Sequence, residues 1–329
     1  MNTSASRLLA TAEEYTRDAE KAVKGGWFTK PDFEVAASNY ERAAASFRNA
    51  GATQRAVDAY QKSSECYIRA RSWFLAGRAQ ENIAAALLQP QQQHGYGANS
   101  NAVIDANAII DAYTRASQYF MQHGQAPDKA AEMLDKAAKI CQQCNDADRA
   151  IELFGQACQI YIDEDRGRIG MDVFRRAIGH AAQHWKLPEA VKFAEDYLDI
   201  CSKYSMKSEL AKAALMTVVL HLANGSVDGA VNVLDGRKGK SPVDPRDEVV
   251  QIAIDLVTAF EQHDGEALAR VKKSEHLHYI EPNVARIAQN LELGNAPASA
   301  FSATPSAPAG VVSAAVFDEE GYLNSDDLT

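Results

Sequence analysis

Four arrangements in this 329-residue chain carry residue types able to do chemistry. Cys141-Gln-Gln-Cys144 is a CxxC. Such a pair serves redox exchange at a strand-to-helix junction, or zinc binding when two further ligands are present. Here Cys141 falls on the last position of a helical repeat, which predicts core packing and a helix end. His180 and His184 are one helical turn apart and could share a metal on one face. The run HAAQH lacks the glutamate that activates water in an HExxH site, so a packed or surface histidine pair is expected. His276-Leu-His278 lies in a polar stretch and reads as solvated. Gly95-Tyr-Gly97 has no strand before it and no helix start after it, so it is no phosphate cradle. The chain contains no P-loop and no convincing nucleophile–base pair. The expectation is a protein that is not an enzyme and uses no metal or cofactor.

Composition narrows the class. Hydrophobic residues are 46% and charged residues 24%, enough for a real core. The net charge is −10, and the segment 301–329 holds five acids with no Lys or Arg after Arg286. The body is therefore mildly acidic, which argues against nucleic acid as the main ligand. Five cysteines, odd and sparse, suit a reducing compartment. The start MNTSASRLLATAEEY lacks a basic head and an apolar block, unlike a signal peptide. The longest apolar stretch, Ala213–Leu222, is far short of the ~20 residues a spanning helix needs. A cytoplasmic protein is expected.

What positions these residues is a repeat. A small–large–small–large stripe recurs at offsets 0, +4, +7 and +11, one face of a 3.6-residue helix. Ala36, Tyr40, Ala43, Phe47 is the first copy, and Ala56, Tyr60, Ser63, Tyr67 is the second. Further copies start at Ala76, Ile109, Ala130, Ala150, Gly170 and Ala190, with weaker ones at Leu210 and Ala230. Apart from the step from Ala76 to Ile109, the spacing is constant or nearly so. Turn formers separate the copies: Gly51, Gly124 with Pro127-Asp128, Asn145-Asp146, Gly167, Pro188 and Asn224-Gly225. Asp128 and Asp146 are expected N-caps. Pro31 is expected to open the first turn of a helix. One helix per copy makes one hairpin per two copies, and strand patterns are absent, so the predicted fold is all-α. It is a tetratricopeptide-like right-handed solenoid of antiparallel helix hairpins with a C-terminal helical bundle. The predicted organisation is a solenoid over 1–235, a helical group over 236–293, and a disordered linker with acidic tail over 294–329. The long step from Ala76 to Ile109 exceeds the period by the polar segment Gln89–Asn101, which predicts an extended loop.

Charge is unevenly spread. Residues 42–80 hold seven basic and two acidic residues, and 166–212 hold nine and six. Offset +6 of the first seven copies reads Arg42, Lys62, Asn82, Arg115, Lys136, Gln156, Arg176, five of seven basic and none acidic, while the copy at Ala190 has Asp196 there. This column is either a solvated flank or a binding surface of the kind solenoids use on elongated ligands. Trp27 and Phe28, between two glycines and a proline, lie outside the stripe. They either staple the first helix pair or touch something outside the chain.

WFTKPDFEVAASNYERAAASFRNAG, followed by the paired-helix repeats, resembles the soluble NSF attachment proteins, and the gamma form most closely. The KPD(F/Y)xxAAxxYxxAAxxF stretch, residues 30–47, is the most specific match. AVKFAEDYLDICSKYSM, Ala190–Met206, and the closing helices up to Leu293 are also similar. The resemblance implies an adaptor. It would bind the four-helix SNARE bundle, recruit and stimulate the hexameric ATPase NSF, and lie peripherally on membranes. Trp27 and Phe28 match the apolar membrane-touching loop. A basic face for SNAREs would draw on Arg42, Lys62, Arg115, Lys136, Arg175 and Arg176. Among these, Arg115 and Arg175 fall where the alpha form is also basic. At Glu132 this chain departs, since the alpha form has lysine there. Asp326, Asp327 and Leu328 match the acidic end that contacts NSF. The alternative is a general tetratricopeptide-like receptor for a partner's C-terminal peptide.

Overall fold

The computed structural model describes residues 3–26, 30–88, 106–122, 126–235 and 243–293. Trp27, Phe28, the Gly95–Gly97 run, the Gln89–Asn101 insertion, Gly124 and everything after Leu293, including Asp326, Asp327 and Leu328, lie outside them. The described residues are all-α, with no strand among them. They fall into two compact units that divide between Asp146 and Ala147.

The N-terminal unit contains α1 (Thr3–Lys24), α2 (Phe33–Asn49), α3 (Thr53–Arg69), α4 (Trp73–Leu88), α5 (Ala106–Met121) and α6 (Pro127–Gln143). Each packs on the next in the chain. The C-terminal unit begins with α7 (Ala147–Asp163), α8 (Met171–Gln183), α9 (Leu187–Lys203) and α10 (Lys207–Ala223), again packed in succession. It continues with α11 (Val227–Leu234), α12 (Glu248–Glu261), α13 (Gly265–Val271), a 3-10 turn (Glu275–Tyr279) and α14 (Pro282–Gln289). Both α11 and α12 pack on α10, and α14 lies on α8 and α10. This crowding explains the Ala213–Leu222 apolar run. A helix with neighbours on several sides buries nearly all its surface, and α10 is buried without a break from Ala213 to Ala223.

The stripe is the core. All four residues of the copies at Ala36, Ala56, Ile109, Ala130, Ala150, Gly170 and Ala190 are buried. In the copy at Ala76 only Leu87 is half-exposed. Gln80 replaces an aromatic there, and its amide is satisfied. Nε2 donates to Ser64 Oγ (3.1 Å) and to Gln61 Oε1 (3.2 Å), as a buried polar group requires.

Helices α2, α3 and α6 to α10 end alike. Gly51, Arg71, Asn145, Asp165, Trp185, Ser205 and Gly225 all have φ between 53° and 76°. The residue after each donates its N–H back to a carbonyl five positions earlier. Those acceptors are Phe47, Tyr67, Cys141, Tyr161, Ala181, Cys201 and His221, at 2.8–3.0 Å. This is the Schellman closure. Its acceptor is always the residue at stripe offset +11. Two expected helix starts are corrected. Asp32, not Pro31, stands at the start of α2, where it accepts the Val35 N–H at 3.0 Å; Pro31 precedes the cap. Asp128 is a first-turn residue of α6, since Ala126 holds the N-cap position and Pro127 follows it. Proline's fixed φ suits that first turn.

Glycine at 170 is a packing requirement. An added Cβ would sit 2.4–2.5 Å from Cδ2 and Cγ of buried Tyr161. Gly170→Ala should therefore lower stability by about 1–3 kcal/mol through overpacking. Ser205→Gly should raise it by about 1 kcal/mol, because a left-handed L-residue at φ 53° is replaced by one without the Cβ clash. Urea unfolding of the two variants checks both signs.

Candidate partner-binding surfaces

In the N-terminal unit a groove of about 400 Å³ opens among α1, α2 and α3. From α1 it takes Glu13, Thr16, Arg17 and Glu20, and from α3 Arg55, Asp58, Ala59 and Lys62. The two sets share one spacing, i, i+3, i+4, i+7, because each is a single helical face. Tyr40 and Phe47 of α2 also line the groove. Arg55 reaches across it: Nη2 lies 3.0 Å from Glu13 Oε1, and its guanidinium carbon sits 4.1 Å from the Phe47 ring centre. Lys62 Nζ is 5.6 Å from the Tyr40 ring centre. Arg55 thus already has a carboxylate partner, whereas Lys62 is held over an aromatic face, an attraction that leaves its charge available to an anion.

The six cations expected to grip a partner fare differently. Lys62 lines the groove; Arg42 does not, and its guanidinium lies 5.9 Å from the Tyr15 ring centre on α1. Arg115 on α5 is exposed and makes no ion pair among the described residues. Lys136 on α6 is held internally, with Nζ 2.9 Å from Glu132 Oε1 and 3.2 Å from Glu81 Oε1 on α4. Lys129 adds a third bond, 3.0 Å to Glu132. Burial pulls the Lys136 ammonium down, yet the hydrogen bond to Glu132 and the Glu132 and Glu81 charges outweigh it, so the net shift is upward. Burial likewise pushes the Glu132 carboxyl up, but the bonds from Lys136 and Lys129 hold it below the ordinary carboxylate range. Glu132 thus joins Lys129, Lys136 and Glu81 in one ion-pair chain. In the C-terminal unit Arg175 is exposed, with Nη2 2.5 Å from Asp172 Oδ1. Its neighbour Arg176 is half-buried on α8.

One member of each chemistry-bearing pair is buried, Cys141 and His180, while Cys144 is half-buried and His184 exposed. Cys141 is fully buried, and Cys144 caps the C-terminus of α6. Burial and the Asp146 carboxylate push the Cys144 thiol up, opposite to what a reactive thiolate needs. The Cys201 thiol is pushed to about 12, chiefly by burial. His180 and His184 have ring centres 4.6 Å apart, and Phe154 lies 6.0 Å from His180. Burial, then the neighbouring His184, lowers His180 to about 4. No group of three or more His, Cys, Asp or Glu fit for a metal occurs among the described residues. No described helix is long and apolar enough to cross a membrane.

Reasoning from the sequence missed the groove-lining residues Glu13, Arg17, Arg55 and Asp58. Their repeated helical spacing on α1 and α3 was the available signal.

Consecutively packed helices with a charged groove in the N-terminal unit define a helical-repeat protein. The sequence model of the soluble NSF attachment protein family, SNAP, matches residues 10–275, and the chain belongs to that family. It is similar to the gamma-soluble NSF attachment protein of Dictyostelium discoideum, 24% identical over 165 residues, half of each chain. It is also similar to that of Arabidopsis thaliana, 23% identical over 225 residues, 68% of this chain and 70% of that one.

Replacing Lys136 by Met should lower stability by about 1 kcal/mol at neutral pH, the scale of a partly exposed ion-pair network. Glu132 is depressed in the folded state, so its contribution is present above the ordinary carboxylate range and lost as pH falls through the folded value. Lys136 is raised, so its contribution is full below the ordinary lysine value and lost as pH rises through the folded one. The gap between wild type and variant should be widest between these limits. Urea midpoints measured across pH check it; a gap independent of pH contradicts the ion-pair assignment.

Proposed function

We propose that this chain is a gamma-type adaptor that binds SNARE complexes at membranes and recruits and stimulates the NSF ATPase for their disassembly. Family membership over residues 10–275 carries this reading. The adaptor works by geometry and charge, without catalysis of its own, as a cytoplasmic protein peripherally attached to membranes. Its solenoid spans 1–235, a C-terminal helical group spans 236–293, and 294–329 is a linker with an acidic tail.

Three surfaces divide the work. Basic residues grip the acidic SNARE bundle: Lys62 from the groove, Arg42 and Arg115 from exposed faces of α2 and α5, and Arg175 with Arg176 from α8. Lys136 contributes less, because two carboxylates already neutralise it. Trp27 and Phe28 enter the lipid interface, where amphipathic aromatics are favoured. Asp326, Asp327 and Leu328 reach a basic surface of the ATPase through a linker rich in Ala, Pro and Ser. The second reading, a receptor for a partner's C-terminal peptide, is favoured by the α1–α3 groove. It predicts short-peptide binding with no dependence on Leu328.

The direct test is NSF-driven SNARE disassembly with and without this protein, together with co-sedimentation of the three. Disassembly that depends on the protein is expected, and absence of a ternary complex at low salt overturns the adaptor reading. Leu328→Ala should lower ATPase stimulation while leaving SNARE binding intact; equal loss of both contradicts the tail's role. Trp27→Ser combined with Phe28→Ser should weaken liposome flotation without changing the melting temperature. Unchanged flotation, or a collapsed melting temperature, returns these aromatics to a packing role.

A further inference from the structure

The end of the N-terminal unit where α1 gives way to α2 also receives the α3–α4 turn. Ser72 Oγ donates to Glu34 Oε1 at 3.0 Å, and the Arg69 guanidinium lies 5.4 Å from the Phe33 ring centre. The last turn of α5 is there too, since Trp73 stacks on Tyr119 (6.4 Å) and Phe74 meets Phe120 (5.2 Å). Two apolar side chains remain in the open: Val35 is 49% and Phe74 40% exposed.

The charge around them runs against that of the protein. Residues 21–34 and 68–75 hold five basic side chains and two acidic ones, in a chain of net charge −10. Both acids are engaged, Asp32 in capping α2 and Glu34 in the bond from Ser72. Lys24, Lys30, Arg69 and Arg71 are exposed. Arg71 is also the left-handed residue of its turn, with φ 59°. Exposed apolar groups in segments rich in exposed cations fit the boundary of an anionic bilayer. Side chains enter the acyl edge there while Lys and Arg meet the headgroups.

We propose that this helix end is a docking face for an anionic lipid surface. Phe74 and Val35 enter the interface, and Arg69 and Arg71 contact acidic headgroups. The proposal adds to the membrane-contact reading of Trp27 and Phe28 and rests on the proposed adaptor function for placing the chain at a bilayer. The segment carrying them leaves this end at Gly26 and returns at Lys30, so both elements would meet one surface.

Flotation of the full chain with phosphatidylcholine vesicles, with and without phosphatidylserine, tests it. Arg71→Asn keeps a residue tolerant of the left-handed turn. It should weaken binding about fivefold on phosphatidylserine vesicles, the weight of one basic residue near such a surface. It should change nothing on neutral ones. Phe74→Ser should weaken binding roughly tenfold, and Val35→Ser, at a residue 49% exposed, should weaken it in the same direction. If Phe74→Ser lowers the melting temperature, Val35→Ser and Arg71→Asn decide. Loss of binding by the Trp27/Phe28 double variant, with Val35→Ser and Arg71→Asn like wild type, overturns this face and leaves the loop reading standing. The reverse pattern sustains the face and removes the loop. Wild-type vesicle binding by Val35→Ser and Arg71→Asn with lost SNARE co-sedimentation assigns the face to a protein and also overturns the proposal.

Discussion

The regular part of the fold depends on one hydrogen bond made again and again. At each closure the backbone turns through a left-handed residue, and the next N–H returns to the carbonyl at stripe offset +11. Because the acceptor is the last core residue of its helix, the chain reverses at a constant distance from the packed stripe. Within each unit the following helix then starts in register to pack its own stripe on the helix before it. Shifting that closure by one residue would rotate the next helix by about 100° and turn its small residues away from the core. Satisfying the last carbonyls of the helix and setting the helix-to-helix register are therefore the same event.

Within this frame the small residues set how near the helices come, and the aromatics fill what remains. Gly170 shows the limit, where the Tyr161 ring occupies the place of a Cβ. The C-terminal unit departs from simple succession. There α14 returns to α8 and α10, and Gly179 of α8 admits the Glu281 carboxylate that caps α14. Burial pushes the Glu281 carboxyl up against the bonds that hold it, a sign of how closely this end is packed.

Charged residues are sorted by the same packing. Side chains at one stripe offset stand on equivalent helix positions, yet their surroundings differ. Arg42 and Lys62 lie over tyrosine rings, Arg115 stays open, and Lys136 is taken up by Glu81 and Glu132. A column of basic residues in the sequence is thus not one surface. Neighbouring helices decide which cations keep their charge for a partner.

Most of the fold was legible in the sequence. The even helix period, the all-α class and the core residues follow from apolar spacing, because burial of one helix face imposes a 3.6-residue pattern that no other structure shares. Cys141 was readable as core for the same reason, since it falls at stripe offset +11, whereas His180, which is buried, and His184, which is exposed, lie off that stripe. The closure was not legible: Gly, Arg, Asn, Asp, Trp and Ser all occupy the left-handed position, so backbone geometry recurs without a residue type to mark it. Nor was the groove among α1, α2 and α3, or the Lys136 ion-pair chain, since these join residues 42 and 55 positions apart. Local propensity and periodicity are properties of a single helix, and the sequence by itself determined those. Which polar faces meet, which charges are neutralised and which apolar side chains stay exposed are properties of helix pairs, and only the tertiary structure decided them.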